Sequence, residues 1–279
     1  MATPKDNDND NFEPKPAKPA KPGLRAVKAS APPDELPEVN FSDYGGVRSL
    51  HLGTPWIQGS MRMDAPYALE LEYIQRMMGW LLFVDPAAVA GRHAMQLGLG
   101  AASLTKFCRK TLRMTVTAIE LNPQVLAACR GWFKLPADNA RMQVVLADAA
   151  KEIRTSKWLG AVDALQVDLY DEEAAAPVLD TEDFYRDCRA TLTNEGCMTV
   201  NLFGRVSSYQ KSVDKMAAAF GADAIWAFKS TREGNTVVLA QRTPQRPKRN
   251  VLAERAEVIK ERWGLPADKW VRVFKPVQS

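Results

Sequence analysis

Cysteine is scarce in this sequence: four occur in 279 residues, and no two are spaced C-x-x-C. Histidine is rarer still, with only His51 and His93. That inventory argues against a metal site, zinc in particular. Few, scattered thiols fit a reduced intracellular chain rather than a disulfide framework. Long apolar runs are missing too. The longest, near residues 77–84, falls far short of the ~20 residues that span a bilayer. The opening stretch, MATPKDNDNDNF, has no apolar centre, so no secretion signal is predicted. The expectation is a soluble, cytoplasmic protein with no membrane partner.

A dominant charge is also lacking. The 37 Lys and Arg against 33 Asp and Glu leave a formal +4. All of that excess is local: residues 242–279 carry a net +6, while residues 1–40 and 41–241 each carry −1. A neutral body argues against a surface built for a phosphate backbone, so no nucleic-acid partner is expected. What is present is ordinary for a globular chain, 46% hydrophobic and 25% charged.

Four segments follow from composition. Residues 1–40 hold 8 of the 18 prolines and predict a disordered Pro/Lys/Ala-rich tail. Residues 41–66 contain two strand-like runs, 47–52 and 56–63, around Gly53-Thr54-Pro55, and predict a β-hairpin. Residues 67–84 show apolar side chains at helical spacing, a helix closed by Pro86. From His93 to residue 241 strand-length apolar runs (94–97, 116–119, 142–146, 164–167, 198–202, 224–228 and 236–241) alternate with helical stretches. This predicts an α/β, Rossmann-like, doubly wound fold over residues 67–241, with a mostly parallel seven-stranded sheet. Residues 242–279 read as a basic linker, a helix over 251–263 and a strand-like tail at 270–274.

Ligands of such folds bind at the carboxyl ends of the strands. The first strand end carries Gly98 and Gly100, small residues that let a ligand approach the backbone and the free N–H groups of the next helix. The second ends in Glu120, 22 residues beyond Gly98, placed to accept the two hydroxyls of a ribose. The third ends in Asp148-Ala149, where a carboxylate can take an exocyclic amine and a small side chain leaves room for a purine. Asp148 also suits a helix cap. The fourth ends in Asp168-Leu169-Tyr170-Asp171-Glu172-Glu173, an acidic mouth suited to a cationic amine. Glu172 and Glu173 fit a solvated loop. Asp168 does not, because it directly follows a buried apolar run. Acids on three successive strand ends fit an adenosyl sulfonium better than a nicotinamide dinucleotide.

The segments Val167-Asp168-Leu169-Tyr170-Asp171, Pro177-Val178-Leu179, Thr181-Glu182-Asp183-Phe184-Tyr185 and Gly196 resemble the polyamine aminopropyltransferase (spermidine synthase) family, within the class I S-adenosylmethionine-binding fold. Trp56-Ile57-Gln58-Gly59 and Tyr67-Ala68-Leu69-Glu70 faintly resemble its upstream segments. The resemblance implies aminopropyl transfer from decarboxylated S-adenosylmethionine to a small-molecule amine. Asp168 would be the catalytic carboxylate; Asp171, Tyr67 and Gln58 would hold the polyamine. Glu120 and Asp148 would hold ribose and adenine. Members of that family often self-associate, so a homodimer is an expectation of the resemblance. Ala101 and Ala68 stand where the family has an Asp and a His, and Glu172 where it has a Pro. The loop Asp binds the donor's free amine, so S-adenosylmethionine and its decarboxylated form both remain open as donors. A small-molecule methyltransferase on the same fold and a non-catalytic nucleoside-binding protein are the alternatives. A dehydrogenase trails, because no catalytic His or Tyr-x-x-x-Lys pattern accompanies the glycine loop.

Overall fold

The computed structural model describes residues 36–170, 179–203 and 206–277, all within one compact unit that begins at Leu36. Asp171, Glu172, Glu173, Pro177 and Val178, and the tail up to residue 35, lie outside the described residues.

The expected hairpin forms as β2 (Val47–Leu52) and β3 (Gly59–Arg62), and β1 (Val39–Tyr44) extends it to a three-stranded antiparallel sheet. β1 starts inside the segment expected to be tail. Five of its six side chains are exposed, so it shows none of the alternation by which a half-buried strand is recognised. The expected helix over 67–84 is also broken up. It forms a short α1 (Glu72–Arg76) and then a 3-10 turn at Gly79–Phe83. Every residue from Met77 to Val84 is buried. A segment that is apolar on all sides has no solvent face to hold it in one amphipathic helix. Gly79 sits where a Cβ would lie 2.9 Å from the Phe228 ring.

The alternating region then runs β4 (His93–Leu97), α2 (Ser103–Lys106), β5 (Thr115–Glu120), α3 (Pro123–Trp132), β6 (Met142–Leu146) and α4 (Ala149–Glu152). It continues β7 (Val162–Val167), α5 (Glu182–Thr191), β8 (Leu192–Phe203), α6 (Val206–Phe220), β9 (Ile225–Phe228) and β10 (Asn235–Gln241). The chain closes with α7 (Arg249–Trp263), α8 (Ala267–Val273) and β11 (Phe274–Pro276). α2 widens into a π turn over Phe107–Thr111.

The large sheet has the order β11-β9-β10-β8-β7-β4-β5-β6. It has eight strands, one more than expected. The tail read as a strand at 270–274 is helical through Val273, and only Phe274–Pro276 pairs with the β9 edge. A short apolar run is ambiguous between helix and strand until a partner edge is known. The five strands from β6 to β8 are parallel, while β10, β9 and β11 pair antiparallel.

Apolar side chains fill both faces. Ala94, Val116, Ala118 and Met142 pack with α2 and α3 residues on one side. Met95, Leu97, Ile119, Leu165 and Val167 pack with residues of α5 and α6 on the other. β4 lies between β5 and β7, so the chain reverses its direction of progress across the sheet there. The carboxyl ends of β4 and β7 meet at this switch point, where a crevice opens in such sheets.

Candidate active site

Gly98 leaves β4 with φ +89°, and a Cβ on it would lie 2.4 Å from the Asp168 carbonyl oxygen. No side chain fits between these strand ends, so glycine is what brings the loop and Asp168 together. Gly100, at φ +49°, lies against the Gln58 carbonyl, 2.9 Å from where a Cβ would sit. The Ser103 hydroxyl donates to the Ser60 carbonyl at 2.9 Å. The small N-terminal sheet is thereby fastened onto the glycine loop, and Gln58 arrives beside it. Ala101 is buried, with its backbone against Gly59.

Below the loop, the buried side chains of Gln96 on β4 and Gln166 on β7 join the strands. Gln96 Nε2 donates to Gln166 Oε1 at 2.7 Å, and the Thr105 hydroxyl donates to Gln96 Oε1 at 3.2 Å. Each glutamine stands two residues before a strand-end residue, Gly98 and Asp168. A satisfied buried network of this kind rigidifies what it carries.

Glu120 ends β5 with both carboxylate oxygens on backbone. Oε2 accepts from Leu99 N–H at 2.9 Å and Oε1 from Asn122 N–H at 2.8 Å. Burial raises its pKa while those N–H groups oppose the rise. The carboxylate spans the glycine loop and the start of α3, and each oxygen retains a lone pair for a hydroxyl. Leu121, the next residue, is 59% exposed, an apolar surface at the strand end. Asp148 caps α4: its Oδ1 accepts from Ala150 N–H at 2.8 Å and from Lys151 N–H at 3.4 Å. Ala149 is buried behind it.

Asp168 follows β7 and is held by side chains. Oδ2 accepts from the Tyr73 hydroxyl at 3.3 Å, and Oδ1 from Asn201 Nδ2 at 3.0 Å. Burial pushes its pKa up to about 6, and the two hydrogen bonds pull against that rise. Tyr73 is itself raised well above the usual phenol value, first by burial and then by Asp168. Both neighbours are therefore neutral donors to an ionised carboxylate. The Tyr170 hydroxyl donates to the Asn201 carbonyl at 2.8 Å.

The structure thus brings Gly98, Gly100, Glu120 and Asp168 together at the carboxyl ends of β4, β5 and β7, with Gln58 against the glycine loop. Asp148 and Ala149 stand at the end of β6, beyond β5. Tyr67 is 38% exposed, with Lys110 Nζ 5.7 Å from its ring centroid. Among the described residues, the tyrosine that bonds to Asp168 is Tyr73. Tyr73 and Asn201 are the site residues that sequence reasoning missed. Asn201 had a usable signal: a buried amide in the apolar strand beside β7 needs a polar partner. Among the described residues, no group of three His, Cys, Asp or Glu could hold a metal ion, and no helix is long and apolar enough to cross a membrane. All four cysteines are buried and unpaired.

No family model matches the chain. Curated relatives do. The chain is 34% identical to a polyamine aminopropyltransferase of Chromobacterium violaceum, over 87% of this chain and 91% of that protein. It is also 34% identical to one of Neisseria meningitidis, over 82% and 86%. Solved structures share the fold. A probable spermidine synthase from Corynebacterium glutamicum superposes with a TM-score of 0.64 at 18% identity, covering 84% of this chain and 88% of that one. Human methyltransferase-like protein 13, solved with SAH, gives 0.59 at 21% identity, covering 75% and 96%. The Thermotoga maritima spermidine synthase gives 0.52 at 16%, covering 81% and 88%.

Proposed function

The chain belongs to the polyamine aminopropyltransferase family, and from that premise we propose that it is a transferase moving an aminopropyl group from decarboxylated S-adenosylmethionine to a small amine. The observation that carries this reading is the setting of Asp168. It is a half-buried carboxylate at the switch point of the sheet, held by two neutral donors and ionised above about pH 6.

The donor supplies a sulfonium leaving group. The attacking nitrogen forms a bond to the methylene beside sulfur as the C–S bond breaks, and a neutral thioether nucleoside leaves. An alkylamine with a pKa of about 10.4 arrives protonated near neutrality. Its nitrogen must lose a proton to expose the lone pair. Asp168 accepts that proton, directly or through water, and passes it to solvent. One proton is released per turnover, because two cations become one. With the leaving group already activated, the rest of the task is positioning. Glu120 holds the ribose hydroxyls, Leu121 offers its apolar face to the purine, and Asp148 takes the exocyclic amine. Gln58 and Asp171 hold the acceptor amine. We assign Tyr67 to the same acceptor channel.

Ala101 contributes no carboxylate to the donor's amine, so the choice between the two donor forms is the point to test. Calorimetry should be run with S-adenosylmethionine, its decarboxylated form and methylthioadenosine. A product assay should follow methylthioadenosine release in the presence of a diamine. Tighter binding of the decarboxylated donor, with diamine-dependent release of thioether, is expected. Tighter binding of the intact donor with methyl transfer would replace this reading by the methyltransferase one. No binding of any of the three would sink both. The sequence identity to aminopropyltransferases supports the first outcome.

A further inference from the structure

The two donors that hold Asp168 come from different elements, Tyr73 from α1 and Asn201 from β8. Both elements are tied to the same place, the turn between β9 and β10. Arg76, one turn along α1 from Tyr73, donates its guanidinium to the Lys229 carbonyl at the start of that turn. Asn235, at the end of the turn and paired in register with Phe203 of β8, donates Nδ2 to Asn201 Oδ1 at 3.1 Å. The turn is itself closed. Thr231 N–H donates to the Asn235 carbonyl at 2.7 Å, and Asn235 N–H donates to the Thr231 hydroxyl at 3.2 Å.

An asparagine amide has two ends of opposite polarity, and only one suits a carboxylate. With Nδ2 toward Asp168, the amide donates; turned over, it sets Oδ1 against a carboxylate oxygen. Ionised Asp168 only accepts, so it favours the donating orientation, and the bond from Asn235 to Asn201 Oδ1 adds to that preference. We propose that Asn235 is a positioning residue for the transfer reaction: by reinforcing the sense of the Asn201 amide, it keeps a donor on Asp168 and couples the β9–β10 turn to the base. This rests on the role given to Asp168 above. Asn235 acts through Asn201 and touches no reacting atom.

The test is a double-mutant cycle with Asn201→Leu and Asn235→Leu, which remove the amides while keeping similar bulk. Asn235→Ala serves if the leucine disturbs folding, judged by melting temperature and circular dichroism. The first readout needs no turnover: carbon-13 NMR titration of the Asp168 carboxyl. Among the described residues, the titratable groups facing it are Tyr73 and Tyr170, both pushed upward and hence neutral in the range scanned. Either single variant is expected to move the Asp168 midpoint upward by about half a pH unit or more, since a lost donor destabilises the ionised form. The double variant is expected to go no further than Asn201→Leu alone. The second readout is kinetic: kcat falling roughly tenfold in each single variant with KM for the donor little changed. If Asn235→Leu and Asn235→Ala leave the titration where it was, or if the two single effects add in full, the proposal is wrong. If the titration shifts as expected and no aminopropyl transfer is found in the unsubstituted protein, the coupling stands and the functional reading falls.

Discussion

Glu120 and Asp168 close the two strands that flank β4, and both are carboxylates against the glycine loop. Glu120 is held by the main chain, with an N–H group on each oxygen. Asp168 is held by a phenol and an amide. Backbone donors belong to the loop they shape, so they fix Glu120 as part of the glycine loop and leave it an acceptor for a ligand. Side-chain donors can be tuned one by one. Burial lifts Asp168 to about 6, which makes it ionised yet basic enough to accept a proton at neutral pH. The same functional group is thus held by main chain on one strand and by side chains, with its pKa raised, two strands away.

Asp168→Asn should have the largest effect. A positioned base contributes about 10²–10⁴-fold, so turnover should fall within that range while nucleoside affinity stays nearly intact. Steady-state kinetics with calorimetry on the same variant checks both. Equal activity would break the distinction between the two carboxylates. Stability should move the other way. The folded protein holds this proton up to about pH 6, the unfolded chain only to the ordinary value of 3.8, so the native carboxylate is costly above pH 6. The asparagine variant should therefore gain up to about 3 kcal/mol in urea unfolding above pH 6, with the gain disappearing as the pH falls below 4.

Glu120→Gln comes next. It replaces one charged acceptor with a donor that meets an N–H group, so the glycine loop loses an anchor and the ribose a partner. Affinity for methylthioadenosine should drop about 10- to 100-fold, with turnover at saturation much less affected. A fall in kcat as large as that of Asp168→Asn would erase the contrast. Tyr73→Phe should sharpen it: losing one donor moves the acid limb of kcat/KM from near pH 6 to higher pH, with activity at pH 8 reduced only a few-fold. An unshifted limb would assign that titration to another group. Asp148→Ala should be mildest, costing about 1 kcal/mol of stability for the lost α4 cap, read from thermal melting.

Much of this arrangement can be read from residue order. Gly98, Glu120, Asp148 and Asp168 each stand one or two residues beyond an apolar run, and a parallel sheet brings such positions to one edge. α3 starts where residue order says it should, because Asn122 caps it and Pro123 opens it. Tyr73 could not be found this way. It lies 95 residues from Asp168, on a segment whose apolar pattern predicts one long helix, and the chain breaks that helix to bury Met77 to Val84 on all sides. β1 escaped because its side chains face solvent, and β11 because three residues carry no period.

The sequence by itself determined the class of fold, the strand ends where chemistry collects and the acids that stand there, because alternation of apolar runs is a local property of the chain. Tertiary structure decided the surroundings of Glu120 and Asp168, whereas Asp148 caps its own next turn. Strand order and packing bring the Leu99 N–H against Glu120, and Tyr73 and Asn201 against Asp168. The two side chains that hold Asp168, Tyr73 and Asn201, lie 95 and 33 residues from it. Hydrogen bonding and desolvation depend on neighbours in space, and only the folded sheet supplies them.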